Sequence, residues 1–308
     1  MHALSVLVAL IAAPLFPGIV NQTKACFAGR SGPGLFRLYF DLAKLMRKSC
    51  PRSTTTTWVF DLAPSVALAA ALLAALIFPW TLGGAAAVVA SCPAVVFFYL
   101  LGTGRFLTVL GALDTGSAFA GMGASREVQF SALAEPAVFV VLGFLVLLAG
   151  DGTESASGGL SALLAGCPAG VWSRHAVSLL LAALACFVIL LSETGRVPFD
   201  DPETHLELTM IHEAMVLDNS GPDLAYILYG AALRFELLAA FLVAMVLPRL
   251  PLPASCRAAV LLAGVAVVAV AVGAVESCMA RMRFLKTPQA LLGALMLATL
   301  GVLLFAMF

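Results

Sequence analysis

The chain has 308 residues, 62% hydrophobic and 11% charged, and its 17 Lys and Arg balance 17 Asp and Glu. A mean hydropathy of +1.04 excludes an ordinary pair of soluble domains, and a net charge of zero gives no footing for nucleic acid as a partner. Membrane lipid is the partner this composition demands.

A spanning helix needs about 20 mostly apolar residues, because lipid offers no partner to a bare backbone group. Eight runs meet that length, at about 3–22, 62–81, 85–108, 128–149, 176–193, 226–248, 258–278 and 288–308. The expected fold is therefore all-α: a single polytopic membrane domain over 1–308 with about eight transmembrane helices. The first run has no Lys or Arg before it, which favours a span over a signal peptide. No internal repeat is evident, which argues against an inverted-repeat transporter core.

Between the first two spans, "GRSGPG" (29–34) has the composition of a tight turn. It leads into "LFRLYFDLAKLMRK" (35–48), where Arg37, Asp41, Lys44 and Lys48 fall on one helical face. Leu35, Leu38, Leu42, Leu45 and Met46 fall on the other. This is an amphipathic interfacial helix with ion pairs at i,i+3 and i,i+4. It serves as a surface anchor, or docks a peripheral subunit, or lines an entrance. The small, polar stretch 151–170 reads as a flexible loop between the fourth and fifth spans.

The loop cations set the orientation. Lys24, Arg30, Arg37, Lys44, Arg47, Lys48, Arg52, Arg105, Arg126, Arg196, Arg281, Arg283 and Lys286 fall on one side, and Arg174, Arg249 and Arg257 on the other. By the positive-inside rule the first group faces the cytoplasm, with both termini outside. The seven cysteines (Cys26, Cys50, Cys92, Cys167, Cys186, Cys256 and Cys278) form no C-x-x-C and follow no disulfide or metal spacing. No iron–sulfur or nickel site is expected on this chain.

Charges inside spans need a partner or a proton. Glu135 precedes Pro136 early in the fourth span, and Arg126 with Glu127 extends a polar path toward it. Arg234 and Glu276 lie near span ends, where a long side chain can snorkel to the interface. Glu236 lies near the start of the sixth span.

The acids concentrate in "ETGRVPFDDPETHLELTMIHEAMVLDNSG" (193–221), which holds seven of the chain's 17, and Asp223 makes an eighth. Glu193 closes the fifth span, and Gly195 and Pro198 stop the helix. Asp200 or Asp201, before Pro202, is a plausible N-cap for a short helix. On it Glu203 and Glu207 would stand at the repulsive i,i+4 spacing unless protonated, paired with Arg196, or used. His205, His212, Glu213 and Asp218 follow. A solvated loop fits poorly, since Leu206, Leu208, Met210, Ile211, Met215, Val216 and Leu217 lie among the acids. A zinc site lacks its second histidine after His212-Glu213. A structural ion-pair network remains open beside a functional one: a half-buried funnel of carboxylates whose proton occupancy answers to nearby charge.

This stretch resembles the E-x-x-R-x-P-F-D-x-P-E-x-x-x-E-L loop of the membrane subunit that anchors respiratory complex I to its peripheral arm, the subunit 1 or H-type family. That family includes membrane subunits of formate hydrogenlyase and other group 4 nickel–iron (NiFe) hydrogenases. "GRSGPGLFRLYFDLAKLMRK" (29–48) is similar to the family's first cytoplasmic loop, and "GASREVQFSALAEP" (123–136) to its R-A-x-x-x-x-x-S-Y-E segment. The stretches 113–127, 204–218 and 277–283 look most like the hydrogenase branch. The complex I loop runs about three residues shorter and ends E-Y-S-G, where this chain has Asp218, Asn219, Ser220 and Gly221.

The resemblance implies that the chain fastens a redox arm and couples its electron transfer to proton or sodium movement. Glu193, Arg196, Asp200, Glu203, Glu207 and Asp218 match the family's coupling loop, and Glu135 matches its membrane glutamate. Arg126 lies on the path to it, and Glu213 falls in the hydrogenase-like insertion. No catalytic residue is expected here. The implied partners are hydrogenase large and small subunits, an iron–sulfur subunit and antiporter-like membrane subunits. NiFe and iron–sulfur centres would sit on those partners, and a quinone is a further candidate ligand. The implied location is the inner (cytoplasmic) membrane, with the acidic loop, about 193–225, facing the cytoplasm. The alternatives are an H-type subunit forming a quinone cavity, an independent ion transporter, and a bare anchor.

Overall fold

The computed structural model describes residues 2–53, 55–82, 92–150, 159–164, 169–200, 210–248, 251–283 and 286–307. Helices account for all regular structure among them, apart from one isolated bridge between Pro93 and Gly159. In chain order they are α1 (His2–Ala12), α2 (Leu15–Phe27), α3 (Arg37–Leu45), α4 (Trp58–Ile77), α5 (Ala94–Asp114), α6 (Ala118–Gly150), α7 (Leu160–Leu163), α8 (Ala169–Arg174), α9 (Ala176–Glu193), α10 (His212–Val216), α11 (Gly221–Val246), α12 (Ala254–Cys278) and α13 (Thr287–Met307).

Seven of these helices are long and apolar enough to cross a membrane. α1 and α2 make an eighth crossing if taken together, bent by 42° at the break between them. The expected single first span is thus broken. Pro14 lies in the break, where it removes one N–H and crowds the preceding turn. The span expected at 128–149 begins ten residues earlier, because Arg126 and Glu127 find partners inside the protein rather than solvent. The expected outer loop includes the short helices α7 and α8; the rest of it, except Gly159 and Leu164, lies outside the described residues.

Small residues let the helices approach, as lipid-embedded packing requires. A Cβ on Gly111 of α5 would lie 3.1 Å from the Ala63 Cβ of α4. On Gly273 of α12 it would lie 2.7 Å from the Thr23 Cβ and 2.9 Å from the Val20 carbonyl oxygen of α2. Phe97, Phe98 and Phe241 pack ring to ring where α5 meets α11. At the charged face, Asp114 ends α5 and caps α4, accepting from the Thr57 N–H at 2.7 Å and the Phe60 N–H at 3.2 Å.

α3 is the amphipathic helix read from the sequence, with Arg37 and Asp41 paired at 3.6 Å across one turn. It has no buried residue, and Phe36 and Phe40 are exposed. It packs against α11 and α2. The Leu35 carbonyl approaches Gly18 so closely that a Cβ there would lie 2.4 Å from the oxygen.

Candidate functional site: two polar chambers that meet at Glu193

The first chamber lies between α5, α6, α9 and α11 and is open at its rim, where Glu135, Tyr99 and Phe139 are exposed. Arg105 lies midway along α5, not in a loop as the charge pattern suggested, because α5 runs on to Asp114. Its guanidinium donates to the Glu193 carboxylate at the end of α9 and to the Ser131 hydroxyl of α6. It also lies 3.8 Å from the Glu127 carboxylate of α6. Both carboxyl side chains are nearly buried, at 8% and 13% exposed. Three helices therefore converge on one cation, whose planar fork can serve several acceptors at once.

Arg105 also lines a narrow cavity of about 50 Å³ with Glu135, Glu193, Phe98, Tyr99, Phe139 and Leu238. Glu135 is thus brought to the same guanidinium as Glu127 and Glu193. Arg234 of α11 faces this group. Its guanidinium stands 3.4 Å from where a Cβ on Gly104 would sit, and it feels the charges of Arg105, Glu127 and Glu193. Snorkelling is therefore not its role. The expected path through Arg126 is also different: Arg126 donates to the Met210 carbonyl at 3.2 Å and does not line the chamber. Arg105 does line it.

The second chamber, about 390 Å³, opens beside the acidic loop. Thr194, Gly195, Arg196, Asp200, His212, Glu213 and Asn219 form its polar wall, and Val216, Leu217, Leu224, Ile227 and Leu228 its apolar wall. Gly195 has φ +58°, the left-handed turn that lets the chain leave α9 and double back. Asp200 is buried and works at a distance. One oxygen accepts the His212 N–H at 3.0 Å and caps α10 from twelve residues away, and the other accepts from Arg281 at 3.3 Å. Arg196 pairs with Glu276 at 3.5 Å and lies over the Phe235 ring. Glu276 also meets Lys24 at 3.2 Å. Its side chain is wholly buried, so the expected snorkelling to the interface is replaced by two cations brought to it.

Burial, reinforced by the Arg234 charge, lowers the His212 pKa to about 4, so its imidazole is neutral near pH 7. Asp218 is exposed and outside the chamber lining. Glu203 and Glu207, with the short helix expected to carry them, lie outside the described residues. Among the described residues no three of His, Cys, Asp and Glu converge as metal ligands.

The two chambers share a seam: Glu193 lines the inner one, and the next three residues line the outer one. Residues 1–307 match the family described as NADHdh, NADH dehydrogenase. The chain belongs to that family. It is 33% identical to hydrogenase-4 component C of Escherichia coli (strain K12), over 78% of this chain and 72% of that one. It is 30% identical to formate hydrogenlyase subunit 4 of the same organism, over 92% of this chain and 91% of the relative. Among solved structures it resembles a chain of the membrane-bound sulfane sulfur reductase, an archaeal respiratory membrane complex. The TM-score is 0.79 at 21% identity, covering 98% of this chain and 97% of that one, which shows a shared fold.

Proposed function

We propose that this NADHdh-family chain is the membrane subunit of an energy-converting hydrogenase or formate hydrogenlyase-type complex. It anchors the peripheral redox arm and couples that arm's electron transfer to movement of protons or sodium ions. The observation that carries this reading is the seam at Glu193. One unbroken stretch, 193–196, faces both a chamber beside the acidic loop and a chamber between the spanning helices. The inner chamber is lined by Arg105, Glu135 and Glu193, with Glu127 and Arg234 close behind Arg105. Fully ionised, these five sum to one negative charge. A low-dielectric site does not tolerate that charge readily, so its proton occupancy answers to a charge change outside.

Hydrogenase large and small subunits, an iron–sulfur subunit and antiporter-like membrane subunits would complete the complex. The partners would carry the NiFe and iron–sulfur centres. The inner membrane, with the loop toward the cytoplasm, fits the distribution of cations. A second reading is favoured by the outer chamber: one polar and one apolar wall suit an amphipathic ligand such as a quinone.

The test uses the complex isolated from its native membrane and returned to sealed vesicles. Glu193→Gln and Glu135→Gln are each expected to assemble, to retain electron transfer, and to lose most redox-driven ion movement. Full ion movement in both variants would overturn the coupling role. Nickel and a hydrogenase-type large subunit in the isolated complex favour the first reading. A complex that reduces quinone and contains no nickel favours the second.

A further inference from the structure

Glu236 has no part in either chamber. It follows Arg234 by two positions on α11, or 200° of helical rotation, so the two side chains leave on opposite faces and do not pair. Arg234 turns to α5. Glu236 is wholly buried, and neither carboxyl oxygen has a hydrogen-bond partner.

Tyr229 stands seven residues before Glu236, on the same face of α11. Its hydroxyl donates to the Leu10 carbonyl at 2.9 Å. That carbonyl would bond the N–H of residue 14 in an unbroken helix, but residue 14 is proline. The Tyr39 hydroxyl of α3 donates to the next carbonyl, that of Ile11. Two tyrosines from two helices thus satisfy the backbone at the break between α1 and α2. Both hydroxyls feel the charge of Glu236. Burial, and after it that charge, raises the Tyr39 pKa above the usual phenol value.

Helices α2, α3, α4, α9 and α12 pack against α11; Lys44 of α3 is exposed and Arg257 lies in the first turn of α12, and the acids of these helices are held elsewhere. Asp61 of α4 pairs with Arg52, and Glu193 of α9 with Arg105. Glu276 of α12 pairs with Lys24 of α2, and Asp41 of α3 with Arg37.

We propose that Glu236 is a proton-binding site inside the membrane domain, separate from the Arg105 chamber, whose occupancy controls the grip of Tyr39 and Tyr229 on the broken first span. The carboxylic acid is neutral and leaves both hydroxyls free to bond the two carbonyls. When its proton passes to water, the carboxylate left behind needs donors in a site that offers none. Each hydroxyl has one proton to give. Turning it to Glu236 takes it from Leu10 or Ile11 and loosens α3 from the break.

The test compares the wild-type complex with Glu236→Gln, which keeps the shape and removes the acid. At pH 7, infrared spectra of the wild type are expected to contain a protonated-carboxyl band that the variant lacks. Limited proteolysis at 46–53, just after α3, is expected to speed up several-fold as pH rises in the wild type and to stay slow in the variant. A Tyr39→Phe, Tyr229→Phe double variant keeps Glu236 and is expected to be cut fast at every pH. Three results would each overturn the proposal: infrared spectra that match with and without Glu236, cleavage whose pH response survives Glu236→Gln, or a double variant cut as slowly as wild type. None of these measurements depends on redox-driven ion movement, so they stand apart from the coupling test.

Discussion

The two chambers that meet at Glu193 differ in how their charges are balanced. In the outer one, buried acids are matched: Asp200 has Arg281, and Glu276 has both Lys24 and Arg196. In the inner one, three carboxyls gather around Arg105, and among the described residues Arg234 is the second cation near them. Matched pairs fix geometry. A surplus acid leaves a proton to be held or passed on. The difference teaches that the outer chamber's described pairs serve mainly to position the loop, and that the inner cluster is where a change of charge is felt.

The sharpest way to break the comparison is Arg105→Leu. It strands Glu193 and Glu127 without their cation, and removing one member of a buried pair costs about 3–5 kcal/mol. Almost no assembled complex is expected on a native gel, while Arg105→Lys should restore part of it. Gly273→Ala comes next. It drives a Cβ into Thr23 and the Val20 carbonyl, and overpacking of this kind costs about 1–3 kcal/mol. The expected outcome is a lower thermal midpoint with ion coupling intact in whatever assembles. Asp200→Ala should cost about 1–2 kcal/mol, since it removes the cap of α10 and the partner of Arg281. Faster proteolysis near 210–217 would show it. If Asp200→Ala abolished coupling at full stability, the positioning role would fail.

The spans were legible because apolar length is a local signal, and Ala176–Glu193 matches its expected run at both ends. The start of α6 was not. Hydropathy counts Arg126 and Glu127 as exposed, and only the folded chain supplies Met210 and Arg105 to satisfy them. The break at Pro14 had its signal in the sequence, in a proline midway along the first run. The candidate site was half legible. Glu135, Glu193, Arg196 and Asp200 stand out as acids and a base near apolar runs, and the structure places all four on a chamber wall. Arg105 looked like one more loop cation, since its role depends on three helices meeting. Asp200 reads as a candidate local cap for a helix outside the described residues, and it also accepts an N–H twelve residues away, a distance no helical period reveals.

A gentler probe of the outer chamber is pH. His212 titrates near 6.5 when unfolded and at about 4 when folded. As pH falls the unfolded chain takes up the proton first. The stability tied to neutral His212 is therefore fully present above pH 6.5 and is lost as pH drops toward 4. Hydrogen exchange across 210–219, referenced to α12 at each pH, should quicken over that window, and His212→Gln should flatten the response. A response that persists in the variant would place the titration elsewhere.

The smallest effect is expected at Asp41→Asn. The Arg37 and Asp41 side chains are 70% and 49% exposed, and such pairs contribute under about 1 kcal/mol. The thermal midpoint of the complex should shift by no more than a degree or so on that scale. This small number has a use. α3 buries none of its residues against this chain, and Phe36 and Phe40 stand exposed beside the pair. If a partner subunit covers that face, the pair loses its water and its removal leaves Arg37 uncompensated. A loss several-fold larger in the assembled complex than in the isolated chain would therefore place α3 under a partner. Equal small losses in both would leave it at the lipid surface.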